Sequence, residues 1–508
     1  MHRVPGEAVA LERDAAGWRL RLADGRELPA DRVVLATGHP VTGLTGEQAE
    51  LAAFAAARPG ATYVRGDSAA DMPLSGIAAG SRVAVLGMGL SFYDVVAALT
   101  TGRGGRFAED GRGGLRYLPS GREPLIVAGS RSGVPMPARG LNQKAPDWRY
   151  TARLFTPERI GALRADGPLD FLADVWPWLD AEMQLVYHGT AVRARYGAEV
   201  EQCYLDSCVE DVLAEGPEAA ERIARATAER FGVQELEPLD VRRLARPFAG
   251  RSYPGPAQFA AALADLLAAD LAAARLGNHD GPLKAALDVI RDVRGTVRTA
   301  VDDGGLTARS HREDFLGWFA PLSGFLAAGP PLSRLRETLA LLESGLLEVV
   351  GPAARFTADE ATGAFRVESA QVAGSARSCA TLIDARIPGA DLDLDPAPLT
   401  RQLVAAGLWT SWANEAGGES FDTGGVAVTA APYRPLDVIG EPVEGLYVLG
   451  IPTEGQRWFM QVGSTRPGPW TQFTADADAV AADALAGLPR IAVLPALTGG
   501  PALTGGGS

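Results

Sequence analysis

The residues of this chain best suited to chemistry gather around two glycines. Gly87 and Gly89 close an apolar run over residues 82–86 and precede an apolar-faced segment over 90–99. A strand that enters a tight glycine turn and leaves as a helix is a phosphate-binding device. Gly87 allows the turn and Gly89 lets a pyrophosphate approach the backbone. The helix start at Leu90 and Ser91 offers free N–H groups and the positive end of the helix dipole. The third glycine of the usual fingerprint is replaced by Phe92. Further along, the apolar run 125–129 ends in Ser130, Arg131 and Ser132. A guanidinium just past the second strand of such a unit is placed to pair with a 2′-phosphate, which selects NADP over NAD, and the serines add hydroxyls. A solvated turn is the other reading of Arg131. The loop 135–146 then carries Arg139, Asn142 and Lys144, residue types that hold a substrate carboxylate and that are also ordinary in loops.

The elements that position these residues are written in the surrounding pattern. Residues 8–28 alternate apolar and polar side chains around glycine turns, which predicts a short β-meander. A buried-strand run follows and closes in Ala36, Thr37 and Gly38. The same order, strand, meander, strand and turn, returns over residues 346–388. The second copy is complete, because the Gly87-x-Gly89 unit precedes it. The first shows only a closing half, so the expectation is that a first strand, glycine turn and helix on the order of 100 residues in domain scale are missing ahead of it. Between the halves of the second unit lies a mostly helical stretch, with helices expected over 157–173, 191–201, 209–231, 257–276 and 284–301. Its aromatic residues Trp176, Trp178, Tyr187, Tyr204, Trp318 and Phe319 are expected to fill its own core. His188, His279 and His311 are expected to be core or surface residues rather than catalytic bases.

The closing Ala36-Thr37-Gly38 and the Gly87-x-Gly89 unit resemble two-dinucleotide-binding flavoproteins. In such proteins a strand like 445–449, a turn at Gly450 and Thr453, a segment containing Trp470 and a helix over 475–486 bring backbone N–H groups to the flavin. The usual Gly-Asp at that strand end is here Gly450-Ile451. Residues 85–94, the strand 125–133 and the turn with Trp470 are together similar to the bacterial FAD/NAD(P)-binding group that includes FAD-dependent urate hydroxylases and nitrosuccinate-forming L-aspartate N-monooxygenases. The resemblance spans residues 8–488. It implies FAD and NADPH as cofactors and a small-molecule substrate and O2 as partners. The reaction it implies is hydroxylation of an amino-acid nitrogen, or of a heterocycle, through a flavin C4a-hydroperoxide. A non-catalytic NAD(P)-binding remnant is the alternative in another class. A disulfide reductase is disfavoured, because four residues separate Cys203 from Cys208.

The expected fold class is α/β, with two Rossmann-like, three-layer dinucleotide-binding domains and a mostly helical insertion. Residues 1–80 would be the closing half of an FAD-binding domain, 81–150 and 334–395 the two halves of an NAD(P)-binding domain, and 151–333 the insertion. Residues 396–490 would return to the FAD-binding domain, leaving 491–508 as a flexible tail. The net charge of −14, without a basic cluster, argues against nucleic acid as a partner. The apolar stretch 257–276 contains Asp265, Asp270 and Arg275, which predicts a packed helix rather than a membrane span. Three cysteines without metal-ligand spacing and the lack of a basic start before an apolar core predict a cytoplasmic protein without a metal. Nothing in the sequence fixes the oligomeric state.

Overall fold

The structure is a computed structural model that describes residues 2–14, 17–111, 113–234, 236–460 and 472–486. It is a mixed α/β protein. The chain opens with an antiparallel meander, β1 (Ala8–Asp14), β2 (Gly17–Leu22) and β3 (Glu27–Ala30), and continues through β4 (Val33–Leu35), α1 (Gly46–Ala57) and β5 (Thr62–Val64). The glycine unit is β6 (Arg82–Leu86), α2 (Leu90–Leu99), the hairpin β7 (Arg106–Glu109) and β8 (Leu115–Leu118), and β9 (Leu125–Gly129). After the insertion come β10 (Leu347–Val349), a second meander β11 (Arg355–Asp359), β12 (Ala364–Glu368) and β13 (Arg377–Cys379), and β14 (Thr381–Asp384).

Five of these strands form one parallel sheet in the order β10-β9-β6-β14-β5. Val83, Ala84 and Val85 are fully buried. That is why β6 reads as an unbroken apolar run, as a parallel strand covered on both faces must. The chain moves from β6 outward to β9 and β10 and then returns to the other flank at β14, so strand order reverses beside β6. Ligands bind at the carboxyl ends of strands at such a reversal. One element differs from expectation: β5, expected with the first unit, pairs in register with β14 at the edge of this sheet. Three residues carry too little pattern to assign a sheet partner.

The insertion is helical, and its breaks lie elsewhere than expected. The expected helix 157–173 stops early, as α3 (Pro157–Ala165), and α4 (Trp176–Tyr196) ends at Gly197. Glycines at positive φ, Gly197 (89°) and Gly216 (101°), separate α4, α5 (Ala198–Glu215) and α6 (Ala220–Arg230), which corrects the expected helices 191–201 and 209–231. The segment 284–301 is likewise two helices, α9 (Pro282–Asp292) and α10 (Arg294–Val301). Helix α4 is buried on several faces, so its periodicity is blurred by buried Glu182, Gln184, His188 and Thr190. Glu182 is satisfied by the N–H groups of Arg153, Leu154 and Phe155 and by the Tyr150 hydroxyl. Between these helices lie α7 (Val241–Ala245) and α8 (Pro256–Arg275), and after them come α11 (Ala308–Ser310), α12 (Ala320–Ala327) and α13 (Leu332–Glu343).

Helix α8 is long and apolar enough to cross a bilayer. In the structure its stripe of Phe259, Leu263, Leu267 and Leu271 is buried in the same core as Val83, Val85 and Leu341, each side chain contributing roughly 1.5–3 kcal/mol. The chain has only two lysines, Lys144 and Lys284, and both are buried. Lys284 pairs with Asp270 of α8 at 2.5 Å. Lys144 lies 2.5 Å from both Asp288 and Asp292 of α9, with its ammonium 4.2 Å from the centre of the Trp148 ring.

The C-terminal part contributes α14 (Pro398–Ala405), the hairpin β15 (Ser411–Asn414) and β16 (Phe421–Val426), β17 (Leu446–Val448) and α15 (Gln472–Leu485). Strand β17 pairs in parallel with β4, and α14 packs on β1 through a third core containing Leu11, Trp18, Leu403 and Tyr447.

Candidate functional site

The glycine turn after β6 has the geometry its residues demand. Gly87 adopts φ +98°, and a Cβ there would meet Arg386 Cγ at 2.9 Å. Gly89 caps α2, and a Cβ there would meet nothing nearer than Met136 Cε at 3.9 Å, so the backbone is open to close approach. Phe92, in the place of the third glycine, is fully buried and packs edge-on to Tyr93. The Tyr93 hydroxyl donates to the Met136 carbonyl, tying α2 to the loop that follows β9.

Gly89, Ser130, Arg131 and Ser132 line one wall of a cavity of about 350 Å³. The insertion supplies the other wall, with Arg242, Arg246, Trp318, Pro321 and Phe325 among its residues. Among the described residues no aspartate or glutamate lines it. Of the aromatics expected in the insertion core, Tyr204 and Phe319 are fully buried, whereas Trp318 reaches this cavity. The serine hydroxyls are partly engaged: Ser130 Oγ accepts from the Gly133 N–H and lies 3.2 Å from Ser132 Oγ. Leu90 instead faces a neighbouring cleft with Tyr93, Asp94, Arg139 and Arg334, and Ser91 sits half-buried in the first turn of α2. A cavity with a glycine turn, three guanidiniums and, among the described residues, no acid in its lining fits the phosphates of a nicotinamide dinucleotide.

A second groove, of about 540 Å³, opens where β4 and β17 end side by side. The Leu449 N–H donates to the Leu35 carbonyl, so Ala36, Thr37 and Gly38 leave one strand beside Gly450 on the other. Thr37, Gly38, Asp395, Trp409 and Pro452 line the groove. Gly38 (φ +75°) and Gly450 (φ +79°) would each have open space at a Cβ. The Thr453 hydroxyl closes the turn on the Gly450 carbonyl at 2.8 Å and is buried, so it shapes the backbone rather than facing a ligand. Two buried donors lack acceptors among the described residues: Nε1 of Trp409, a residue that lines the groove, and Arg457 Nη1 beyond it. Orphaned donors beside open glycines fit a flavin dinucleotide, which is rich in acceptors. Trp470 lies outside the described residues.

The loop residues Arg139, Asn142 and Lys144 do not line one cavity. Lys144 is held by its two aspartates, and Asn142 donates to the Lys144 carbonyl. Arg139 is exposed in the cleft beside α2. Sequence reasoning missed a different row of arginines. Arg294 and Arg298 stand four apart on α10, with Arg291 ahead of them on α9. Arg298 donates to the carbonyls of Trp458 and Phe459, and the Arg294 guanidinium lies 3.9 Å from the centre of the Phe459 ring. Burial, reinforced by Arg291 and Arg298, pushes Arg294 down to about 10. Nearby, burial raises Asp302, which accepts from the Trp458 N–H, to about 7, and raises Glu454 as well. His188 and His311 are buried and held down at about 4 by desolvation.

A family model described as FAD-NAD(P)-binding matches residues 1–40. The chain is 41% identical over 490 residues to an L-aspartate N-monooxygenase (nitrosuccinate-forming) of Streptomyces cremeus, covering 95% of this chain and 72% of that protein. It belongs to this family of N-monooxygenases. A second member, from Streptomyces davaonensis, is 40% identical over 94% of this chain and 73% of its own length. A nitrosuccinic acid synthase of Aspergillus oryzae is 37% identical, over 94% of this chain and 72% of its own. As a member of the N-monooxygenase family the chain is a flavin-dependent oxidoreductase with FAD and NADPH as its cofactors. The resemblance drawn from the glycine turn and the closing Ala-Thr-Gly is borne out.

Proposed function

We propose that this chain catalyses the NADPH-driven N-oxygenation of L-aspartate, with FAD in the groove between β4 and β17 and NADPH in the cavity beside Gly89. On this reading the protein carries two Rossmann-like dinucleotide units bridged by the helical insertion. The bound flavin, once reduced by NADPH, supplies the oxygen chemistry. The protein residues bind, orient and exclude water. Gly38 and Gly450 admit the flavin, and Gly89 with the arginines around it holds the pyridine nucleotide. The wall formed by Trp318, Pro321 and Phe325 shields the nucleotide cavity from water.

The observation that carries the substrate is the arginine row on α9 and α10. It is laid against the segment 457–460 that follows the β17 turn. Burial is the main cause that lowers Arg294 and Arg298, Arg294 has its guanidinium on the Phe459 ring, and a substrate with two carboxylates would answer such buried cations. The test is a flavin absorption spectrum of the purified protein, followed by NADPH oxidation with L-aspartate against L-asparagine and detection of the N-oxidised product. Aspartate-dependent turnover, with a KM raised about tenfold or more in Arg294→Gln at unchanged flavin content, is expected. A protein that binds NADP+ but neither flavin nor aspartate would instead be a nucleotide-binding remnant.

A further inference from the structure

The cavity beside Gly89 is positive from both walls, and its two walls come from different parts of the fold. Arg131 belongs to the strand end, whereas Arg242 and Arg246 belong to the insertion. In a chain with 62 acidic and 48 basic side chains, three arginines around one cavity, with no acid in the lining among the described residues, need an explanation. Arg131 and Arg246 have no side-chain hydrogen bond or ion pair among the described residues. Arg242 lies 4.2 Å from the centre of the Trp318 ring, which orients its guanidinium without neutralising it. Asp180, an acid in electrostatic reach of Arg242, and Asp240, which caps its helix, both lie outside the lining.

The short helix that carries Arg242 and ends at Arg246 as its C-cap is firmly seated. Asp240 caps α7 by accepting from the N–H groups of Arg242 and Arg243 at 2.9 and 3.0 Å. Val241 is buried in the core of the insertion, and Phe248, just beyond the helix, is buried in the core of the parallel sheet. The segment is therefore fixed to both bodies, and its arginines face the strand-end serines across the cavity.

We propose that Arg242 and Arg246 bind the 2′-phosphate of NADPH from across the cleft, so that the insertion, and not Arg131 alone, makes the protein choose NADPH over NADH. The proposal rests on the assignment of the pyridine nucleotide to this cavity. A dianionic phosphate answers several guanidiniums at once, whereas the ribose hydroxyl of NADH answers none of their charge. The same contacts bridge the insertion to the sheet, so 2′-phosphate binding would join the two.

The test is calorimetric binding of NADP+, NAD+ and 2′,5′-ADP to the full chain and to the Arg246→Gln, Arg242→Gln and Arg242→Lys variants. Each glutamine variant is expected to lose about tenfold to a hundredfold in affinity for NADP+ and 2′,5′-ADP. NAD+ affinity should stay within about threefold, and the preference for NADPH in kcat/KM should fall in parallel. Arg242→Lys should recover part of the loss and separates charge from folding, as does an unchanged Tm in Arg246→Gln. Equal losses for NAD+ and NADP+, or full retention of 2′,5′-ADP binding in both glutamine variants, would overturn the proposal. Failure of the unaltered protein to bind any of the three probes would overturn the nucleotide assignment itself.

Discussion

Lys144 stands among the residue types that bind carboxylates, and the structure gives its ammonium two internal ones. Its side chain is 4% exposed, and those of Asp288 and Asp292 are 7% and 11% exposed. Replacing it in Lys144→Met keeps much of the volume and the contact with Trp148 but leaves two buried carboxylates facing each other. Removing one partner of a buried ion pair costs about 3–5 kcal/mol, because the remaining charge keeps its desolvation penalty. Asn278 donates to Asp288, and Arg291 approaches it at 3.2 Å, so the lower half of that range is expected. Urea unfolding followed by circular dichroism should show the midpoint falling at an unchanged slope. Adding Asp288→Asn and Asp292→Asn to Lys144→Met should recover a large part of the loss, since the orphaned charges are then gone. Stability within about 1 kcal/mol of the unaltered protein, together with a raised KM for aspartate, would refute the reasoning and return Lys144 to the substrate.

Three other outcomes follow from the geometry. Burial holds the Asp302 carboxyl at about 7 against an ordinary 3.8, so the folded protein keeps a proton there that the unfolded chain has lost. The stability this contributes is complete below the ordinary value and is lost as pH rises towards 7. The stability gap between Asp302→Asn and the unaltered protein should therefore shift in favour of the variant by up to about 1.4 kcal/mol per pH unit in that window, and a gap that does not move with pH contradicts this. Gly87→Ala must accept φ +98° and displace Arg386, so it should lower stability by about 1–3 kcal/mol and weaken NADP+ binding, read by thermal unfolding and calorimetry. Thr453→Val removes the hydroxyl that closes the turn on Gly450, and a loss of about 1 kcal/mol with reduced flavin per protein is expected from unfolding and absorbance.

What the sequence disclosed was local. Gly87 and Gly89 were legible because a tight turn demands them, and Ser130, Arg131 and Ser132 because the end of a strand is near in sequence to its start. The two meanders were legible as a repeat, and the repeat pointed to the closing Ala36-Thr37-Gly38. What escaped it depends on contacts between distant segments. The return of 445–449 to the first unit was expected, but its pairing with β4 was not legible, nor was the pairing of β5 with β14 through a three-residue strand. Arg242 and Arg246 enter the cavity from a five-residue helix and its C-cap, with the Asp240 N-cap as the only local trace of the element. Arg139, Asn142 and Lys144 are neighbours in sequence but do not line one cavity, because the loop turns inward and buries Lys144 against α9.

The burial of Lys144 and Lys284 has a consequence for chemical modification. Every other basic side chain that titrates above neutrality is an arginine, so the folded surface presents no lysine amine to an acylating reagent, a cross-linker or a conjugating enzyme. Lysine acylation of this protein should therefore proceed only as fast as the segments around α8 and α9 open. Its rate, followed by mass spectrometry at those two positions, would act as a clock for local unfolding at the junction of the insertion with the sheet.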